Sequence, residues 1–460
     1  MFNFDYELSQ INKIHFIGIG GVSMSGIALL LKENGYQITG SDRSESKYLA
    51  NLYKNGIEIT IGQKASNITD QDLFVYTDAI LPDNEELIAA KATGKPVISR
   101  GKLLGDLMKF YNKSIAVSGA HGKSSTTSML SKILVDANAD ASILLGGMLD
   151  DIGGNVLVGK SGFLLSEACE FKGNILYYHP STAIVLNIDA DHLDYYRDLD
   201  HIIDTFCSYM DNLTEDSIAI INADDPNTQR LFNHVKGKLI TFGESKDADY
   251  RIENIRYTED AFPRFDLVHG DKVMPLELNT IGDFNIFNAA AAAIASLENG
   301  IEFETIQKSL KDYKPLHRRL ETIGQYKGAK VLTDYAHHPV EIQSCLTTVK
   351  KINHNKFITV FQPHTYSRTK ALLDEFADSF YNTDEVIVTE IYAAREKFDP
   401  TIKSEDLVEK LVENGVNAIY IKTFEEAEEY LKNKLVDGDL LLTTGCGNPD
   451  VLAEMMVEED

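Results

Sequence analysis

The chain has 460 residues, of which 43% are apolar and 25% charged, and its formal net charge is −26 at pH 7. This length exceeds what one hydrophobic core usually serves, and the acidic charge excludes general affinity for nucleic acids or anionic membranes. There is no basic, apolar leader and no apolar run of membrane-spanning length, and the four cysteines lack metal-ligand spacing. These features predict a cytoplasmic protein with reduced thiols and two or three domains.

The first block of the chain, residues 1–109, has a pattern of alternating strands and helices. The apolar run 13–17 precedes a glycine-rich turn and an apolar helix through Leu31, and further strands are predicted at 37–40, 73–76 and 96–98. Strands that alternate with helices predict a parallel sheet with right-handed crossovers.

The turn Gly18-Ile19-Gly20-Gly21-Val22-Ser23 resembles a dinucleotide-binding fingerprint, although Ser23 stands where the third glycine belongs. Asp42 lies about where a carboxylate that binds a ribose would lie. The pattern therefore predicts a diphosphate nucleotide in this block. NAD is one candidate, and a purely structural glycine turn is the alternative.

The second block, residues 110–314, carries the most informative segment, which follows a predicted strand at 114–118 and opens a helix at 126–135. The segment consists of Gly119, Ala120, His121, Gly122, Lys123, Ser124 and Ser125. Backbone N–H groups at such a turn favour an anion, the lysine adds charge for terminal phosphates, and the hydroxyl after it can bind Mg²⁺. The match to a P-loop is partial, because Val117 occupies the place of its first glycine. We expect nucleoside triphosphate binding rather than a turn with a solvated lysine.

Later in this block, strands are predicted at 163–165, 183–187 and 218–221, a small antiparallel insert at 238–278 and an alanine-rich helix at 288–297. Glu167 follows one of these strands, and His192 lies in the segment 189–194 after the next. Parallel sheets bind ligands at the carboxyl ends of their strands, so both side chains are expected beside the phosphate loop. Together they predict Mg²⁺ between ATP and a second substrate, although each alone could be a loop residue or a helix cap.

The third block, residues 315–460, again alternates, with strands predicted at 330–334, 357–361, 385–389 and 439–443 and helices at 339–351 and 369–380. Polar clusters follow two successive strands, at 333–339 and 361–368. Their histidines and arginine predict a pocket rather than a core. An arginine of the segment His317-Arg318-Arg319 is expected to reach the ATP phosphates.

In this order, the motifs resemble those of the Mur ligase family over essentially the whole chain. The resemblance is carried by 15–21 with 24–26, by 40–42, 119–125, 187–194, 334–339 and 361–368. It implies an α/β fold of three domains: an N-terminal Rossmann-like UDP-binding domain (1–109), a central P-loop-type ATPase domain with a parallel sheet and a small antiparallel insert (110–314), and a C-terminal Rossmann-like amino-acid-binding domain (315–460). It also replaces NAD by a UDP-sugar as the expected ligand of the first domain.

The resemblance implies a role for each matching residue. The UDP-sugar is expected to contact Gly18, Gly20, Gly21, Met24, Ser25, Ser41, Asp42 and Thr77. Besides the loop 119–125, ATP is expected to contact Asn285 and Asn288 at the adenine, Arg319 near the γ-phosphate and Asp334 at the ribose. Mg²⁺ is assigned to Ser124, Glu167 and His192, and the incoming amino acid to His337 and Arg368. Lys123, Glu167, His192, His337 and Arg368 form the implied catalytic set.

The activity that the resemblance implies is ATP-dependent amide formation in peptidoglycan precursor synthesis. The lactyl carboxylate of UDP-N-acetylmuramate would form an acyl phosphate that L-alanine then attacks. The protein is expected to be a monomer or a weak homodimer. A murein peptide ligase of cell-wall recycling and a non-catalytic paralogue are the alternatives, and the retained Lys123 argues against the second. The chain departs from the family pattern at Ala120, Ser124, Phe284 and 445–450.

Overall fold

The computed structural model describes residues 2, 4, 6, 11–193, 195–258, 261–394 and 396–457. Asp194, the last residue of the motif 187–194, lies outside them. The chain divides into two compact units, one of Met1–Ile255, Phe265–Glu277 and Phe284–Tyr313, the other of Arg256–Arg264, Leu278–Asp283 and Lys314–Asp460. Among the helices of the described residues, none combines the length and the apolar character needed to cross a bilayer.

The first sheet is fully parallel and has five strands in the order β3-β2-β1-β4-β5. Its strands are β1 (Lys13–Ile17), β2 (Gln37–Asp42), β3 (Glu58–Ile61), β4 (Leu73–Tyr76) and β5 (Val97–Ser99), and its helices are α1 (Val22–Glu33), α2 (Leu49–Lys54), α3 (Glu85–Ala92) and α4 (Arg100–Met108). Helix α1 is buried without interruption from Met24 to Leu31, because every face of this part of the helix consists of apolar or small residues.

The second sheet has ten strands in the order β15-β14-β13-β12-β11-β10-β6-β9-β7-β8. They are β6 (Lys113–Ser118), β7 (Ser142–Leu149), β8 (Gly154–Leu157), β9 (Phe163–Glu167), β10 (Thr182–Val185), β11 (Ile218–Asn222), β12 (Lys238–Gly243), β13 (Tyr250–Tyr257), β14 (Pro263–His269) and β15 (Lys272–Glu277). The helices are α5 (Lys123–Asp136), α6 (Leu199–Asp211), α7 (Pro226–Gln229), α8 (Phe284–Glu298) and α9 (Phe303–Asp312). The insert expected at 238–278 is smaller than predicted, because β12 and the start of β13 extend the parallel sheet.

One continuous hydrophobic core joins the first two sheets. It runs from Ile14 and Phe16 of β1 through Leu30 of α1 to Val185 of β10 and Ile221 of β11. The contact is closest where α4 meets the short 3-10 turns at Phe171–Tyr177. A Cβ atom at Gly101 would lie 2.0 Å from Asn174 Oδ1, and one at Gly105 would lie 2.1 Å from the carbonyl oxygen of Tyr177. The two glycines therefore permit a backbone approach that no other residue allows.

The third sheet has six strands in the order β16-β17-β21-β18-β19-β20. Its strands are β16 (Glu321–Tyr326), β17 (Ala329–Asp334), β18 (Phe357–Phe361), β19 (Glu385–Val388), β20 (Ala418–Tyr420) and β21 (Leu440–Thr444), and its helices are α10 (Pro339–Val349), α11 (Tyr366–Ala371), α12 (Leu373–Ala377), α13 (Ser404–Glu413), α14 (Phe424–Lys432) and α15 (Pro449–Val457). Only β16 is antiparallel to its neighbour. The helix predicted at 369–380 is broken at Leu372, where α11 ends and α12 begins.

The position of β21 changes the arrangement of the two polar clusters. β21 lies between β17 and β18, so that Asp334 and Phe361 both align with Thr444. The clusters that follow β17 and β18 therefore come from strands that are successive in the sequence but not adjacent in the sheet. The strand between them, β21, is followed by the loop that contains Gly445, Cys446 and Gly447.

Replacing Gly105 by alanine tests the contact between α4 and the turns 171–177. The added methyl group would meet a backbone carbonyl, and overpacking of this kind typically costs about 1–3 kcal/mol of stability. We expect a lower midpoint of urea unfolding, followed by far-UV circular dichroism. Gly154→Ala is the matched control, because nothing lies within 4 Å of its added Cβ atom. Equal midpoints for the two variants would contradict the contact.

Candidate active site

The phosphate loop between β6 and α5 is held by one asparagine. Gly119 has φ 136° and Gly122 has φ 85°, both in the left-handed region that favours glycine. Asn187 lies just after β10, the neighbour of β6 in the sheet. Its Oδ1 accepts from the His121 N–H at 2.8 Å, its Nδ2 donates to the His121 carbonyl at 3.1 Å, and its own carbonyl accepts from the Ala120 N–H at 3.2 Å. These bonds fix the loop conformation.

Lys123, the first residue of α5, points back across this loop. Its ammonium donates to the carbonyl oxygens of Gly119 at 2.5 Å and Ala120 at 3.1 Å, and to Glu170 Oε1 at 3.1 Å. Burial opposes the charge of the ammonium, but the negative groups around it, Glu170 foremost, together outweigh burial and raise the pKa of Lys123. The lysine is therefore positively charged at neutral pH and stands ready for an anionic ligand.

Glu170 also belongs to a cluster that can hold a cation. Ligand atoms of Glu170, Asp191 and His192 all lie within 4.8 Å of one another. His192 Nε2 is 3.9 Å from Glu170 Oε1 and 3.7 Å from Asp191 Oδ2, and its backbone has the positive φ of 56°. Glu170 is 3% exposed, and its Oε2 atom has no hydrogen-bond partner among the described residues. A buried carboxylate oxygen without a donor, beside a second carboxylate, fits a divalent metal ion.

Glu167, the carboxylate expected at the metal, lies outside this cluster. It ends β9, and its Oε1 accepts from the N–H of Gly146 at 2.8 Å. The structure instead brings Glu170, three residues later, beside His192. Ser124 is partly exposed in the first turn of α5. The metal roles of Glu167 and Ser124 remain predictions.

The structure brings Asn288 and Asn285 of α8 to the phosphate loop. The Asn288 Nδ2 donates to Asn285 Oδ1 at 3.0 Å, and both side chains are buried. A Cβ atom at Gly122 would lie only 2.4 Å from Asn288 Oδ1. The two residues predicted at the adenine thus lie against the loop predicted at the phosphates.

In the first sheet, the glycine turn meets part of its expected partners. The Gly20 N–H donates to Asp42 Oδ2 at 2.7 Å, and a Cβ atom at Gly18 would lie 2.6 Å from Thr77 Cγ2. Gly21 directly precedes α1. These five residues share one edge of the sheet, as a ligand site at the ends of β1, β2 and β4 requires.

Three other residues predicted at the UDP-sugar have side chains that are engaged elsewhere. The hydroxyl of Ser41 donates to Glu86 Oε2 at 2.5 Å, inside a buried network that also contains His15. The hydroxyl of Ser25 donates to the Val22 carbonyl at 2.9 Å, and Met24 is 2% exposed. Ser41 turns inward because side chains of a strand alternate between faces, so it cannot share the orientation of Asp42.

In the third sheet, the carboxylate of Asp334 is bonded to backbone. It accepts from the N–H groups of Leu320 at 2.8 Å and Ala336 at 2.7 Å. Burial raises the pKa of Asp334, which the charge of Arg319 partly opposes. The guanidinium of Arg319 lies 5.0 Å from the ring centre of Tyr335. Arg319 and Asp334, both predicted to contact ATP, are thus close together.

The two residues predicted to bind the amino acid, His337 and Arg368, lie in one polar cluster. His337 Nδ1 is 3.2 Å from Glu341 Oε2, its ring centre is 6.1 Å from that of His364, and Arg368 Nη1 is 3.5 Å from His364 Nδ1. Sequence analysis assigned no role to Tyr335, His364 or Cys446. Burial raises the pKa of Tyr335 to about 12 and that of Cys446 to about 11, so both are neutral at pH 7. The signal that could have identified these three residues is their position in the loops that follow β17, β18 and β21.

The second sheet carries a phosphate loop with a charged lysine and, beside it, the cluster of Glu170, Asp191 and His192, which can hold a cation. The first sheet carries the glycine turn. Together these features define a nucleotide-binding α/β enzyme of three domains. Three family models match the chain: the Mur ligase family, catalytic domain, at 13–112, the Mur ligase middle domain at 117–296, and the Mur ligase, glutamate ligase domain, at 318–447. The chain belongs to the Mur ligase family.

Relatives of full length agree with this assignment. The chain is 43% identical over 458 residues to the UDP-N-acetylmuramate–L-alanine ligase of Clostridium botulinum, covering 99% of both chains. It is 44% identical over 453 residues to that of Acetivibrio thermocellus, covering 98% and 97%. Among solved structures, the UDP-N-acetylmuramate–alanine ligase of Thermotoga maritima aligns with a TM-score of 0.82 at 29% identity, over 97% and 98% of the two chains. A murein peptide ligase of Psychrobacter arcticus shares the fold, with a TM-score of 0.73 at 22% identity over 97% and 98%.

The ionisation of His337 provides a test of the cluster in the third sheet. Burial lowers the pKa of His337, with Glu341 opposing and Arg368 reinforcing the shift. Near pH 6 the unfolded chain therefore binds more protons at His337 than the folded chain does. The contribution of His337 to the free energy of unfolding therefore rises with pH up to about 6.5, the pKa in the unfolded chain. This contribution is lost as the pH falls through the pKa of the folded chain. We expect the His337 Cε1–H resonance, identified with His337→Gln, to titrate below pH 6.5. A midpoint above that value would contradict the buried environment.

Proposed function

We propose that this protein joins L-alanine to the lactyl carboxylate of UDP-N-acetylmuramate, with hydrolysis of ATP to ADP and phosphate, in peptidoglycan precursor synthesis. The observation that carries the proposal is the Lys123–Glu170 pair in the phosphate loop of a chain that matches alanine-adding ligases along its whole length. A loop that retains a charged lysine and an adjoining cation cluster is suited to phosphoryl transfer rather than to a binding role alone.

The reaction would proceed in two steps. The carboxylate of the sugar attacks the γ-phosphorus of ATP, forming an acyl phosphate and releasing ADP. The neutral amine of L-alanine then attacks the acyl carbon, phosphate leaves, and the amine gives up a proton. Neither step needs a covalent bond to the protein, so positioning and charge neutralisation are what the residues supply.

The phosphate loop and Lys123 would hold the ATP phosphates, and Asn285 and Asn288 the adenine. Glu170, Asp191 and His192, with Ser124 and Glu167 as further candidates, would hold Mg²⁺, which neutralises phosphate charge when bound. Arg319 would contact the γ-phosphate region and Asp334 the ribose, while His337 and Arg368 would position L-alanine.

We assign the UDP-sugar to domain 1–109, ATP to domain 110–314 and the amino acid to domain 315–460. Gly18, Gly20, Gly21, Asp42 and Thr77 are the proposed sugar-nucleotide contacts, and Met24, Ser25 and Ser41 would act through their backbone or by support of the turn. ATP and UDP-linked precursors place the reaction in the cytoplasm. A monomer or weak homodimer remains the expected state.

Release of ADP from the full chain tests the function. UDP-N-acetylmuramate is supplied with ATP, Mg²⁺ and one amine of a panel: L-alanine, glycine, L-serine or the stem tripeptide. We expect turnover to be highest with L-alanine and to depend on the UDP-sugar. Preference for the tripeptide would make the protein a peptide-adding ligase, and absence of turnover with every amine would reject the proposal.

Glu170→Gln and Glu167→Gln form a matched pair that locates the metal carboxylate. Glu170→Gln removes the charge beside Lys123 and His192, so we expect kcat to fall by about 100-fold and the Mg²⁺ concentration at half-maximal rate to rise. Glu167→Gln, whose side chain accepts from a backbone N–H, is expected to have the smaller effect on Mg²⁺ dependence. A larger effect of Glu167→Gln on Mg²⁺ dependence would identify Glu167, and not Glu170, as the carboxylate that binds the metal.

Arg368→Ala tests the assignment of the amino acid to the third domain. Because Arg368 lies by His364 and apart from the phosphate loop in sequence and sheet, ATP affinity is expected to change less than about threefold. The kcat/KM for L-alanine should fall at least about tenfold, which corresponds to about 1.4 kcal/mol. Arg230→Ala, which removes an exposed arginine paired with Asp200, is the control. Equal losses in ATP binding and alanine use would assign Arg368 to the nucleotide instead.

A further inference from the structure

Arg100, the first residue of α4, is a partly buried cation, and none of the ion pairs found among the described residues includes it. Its Nη1 lies 3.5 Å from the hydroxyl of Ser23 and 3.5 Å from that of Tyr178. Among the carboxylates of the described residues, Asp78 acts on its charge, but from beyond ion-pair distance. A guanidinium is always charged at physiological pH and carries several N–H donors in a fixed fork, and contacts of 3.5 Å satisfy these donors poorly.

The surroundings hold Arg100 in place. The hydroxyl of Ser99 caps α4 by accepting from the Lys102 N–H at 3.2 Å. The next residue, Gly101, packs tightly against Asn174, because a Cβ atom added at Gly101 would lie 2.0 Å from Asn174 Oδ1. The guanidinium therefore starts from a rigid element, as a preorganised binding group should.

Arg100 lies where the first domain meets the segment that carries Glu170. Ser23 follows the glycine turn of the first sheet, and Tyr178 follows Glu170 by eight positions. Two further bonds join the same parts: Lys172 Nζ donates to the Asp78 carbonyl at 2.8 Å, and Asn174 Nδ2 donates to Asp78 Oδ2 at 2.7 Å. Asp78 in turn follows Thr77 of the proposed sugar-nucleotide site.

A sugar nucleotide that binds at the glycine turn and presents a carboxylate toward Lys123 must pass this junction. Its negative groups are the diphosphate and the lactyl carboxylate, and an arginine fork binds either kind of oxygen through paired, charge-assisted hydrogen bonds. A purely structural arginine would be expected to have a carboxylate at ion-pair distance, since leaving a partly buried charge without one costs free energy. The nearby carboxylate of Asp78 instead accepts from Asn174 Nδ2 at 2.7 Å.

We propose that Arg100 is a binding residue for an anionic group of the sugar nucleotide. The inference rests on the proposed function and extends it to a residue that neither the glycine turn nor the phosphate loop contains. Arg100 would align the sugar nucleotide between the two loops, and its contribution would be confined to that substrate.

Calorimetry on the full chain tests this assignment. The variants are Arg100→Gln and Arg100→Lys, with Arg230→Gln as a control that removes one exposed arginine. The ligands are UDP-N-acetylmuramate, UDP-N-acetylglucosamine, which lacks the lactyl carboxylate, and ATP. We expect Arg100→Gln to weaken UDP-N-acetylmuramate binding at least about tenfold and Arg100→Lys to recover part of the loss, with ATP affinity unchanged. Equal weakening of both UDP-sugars identifies the diphosphate, and weakening of UDP-N-acetylmuramate alone identifies the carboxylate.

A second measurement needs no variant. Modification of Arg100 in the unmutated protein by phenylglyoxal, followed by mass spectrometry, should be slowed by UDP-N-acetylmuramate and not by ATP. Unchanged sugar-nucleotide affinity in Arg100→Gln, or modification that the sugar nucleotide does not slow, would overturn the assignment. Absence of UDP-N-acetylmuramate binding by the unmutated protein would instead reject the proposed function itself.

Discussion

The ammonium of Lys123 and the carboxylate of Glu170 lie 3.1 Å apart inside the larger unit, and the surrounding loops are arranged to permit this contact. Removing two charges from water costs several kcal/mol for each ion, and mutual attraction offsets this only when further hydrogen bonds complete the geometry. Two loop carbonyls supply such bonds to the lysine, and the hydroxyl of Tyr196 donates to the backbone carbonyl of Glu170 at 2.5 Å. Because β6 and β9 are neighbours in the sheet, both residues leave from the same edge. The pair thus couples the phosphate loop to the cation cluster.

The sequence predicted the family and the three-domain α/β fold, and both are confirmed. Strands such as 13–17, 73–76 and 357–361 coincide with their predictions because they are short, mostly apolar runs between turn signals. Strand order was not predictable, since local pattern does not state which strands pair. β21, from the end of the chain, is inserted between β17 and β18. The unpredicted break at Leu372 likewise has no proline or glycine to mark it.

The positions of site residues could be predicted where they follow directly from the ends of neighbouring strands. They could not be predicted where the conformation of a single turn determines which side chain enters the site. Asp42 and Thr77 lie beside the glycine turn, which the sequence assigned to the same ligand, and Asn288, predicted at the adenine, lies against the phosphate loop. The sequence predicted Glu167 beside His192, whereas Glu170 lies there, because the direction of the chain after β9 determines which carboxylate faces His192. The inward turn of Ser41 follows from strand alternation, which the motif alone did not reveal. No pattern pointed to Arg100, whose partners are distant in sequence.

The shared core of the first two sheets limits how this architecture can be recombined. Domains that meet through a small polar surface can be exchanged between relatives as independent modules, because their folding does not depend on the partner. Here the glycines of α4 pack against the Asn174 side chain and the Tyr177 carbonyl of the turns 171–177, and the apolar core continues across the boundary. A grafted first domain would have to bring its complementary turns with it. Evolution of a new sugar-nucleotide preference is therefore expected to proceed by substitutions within the existing pair of domains rather than by exchange of a domain.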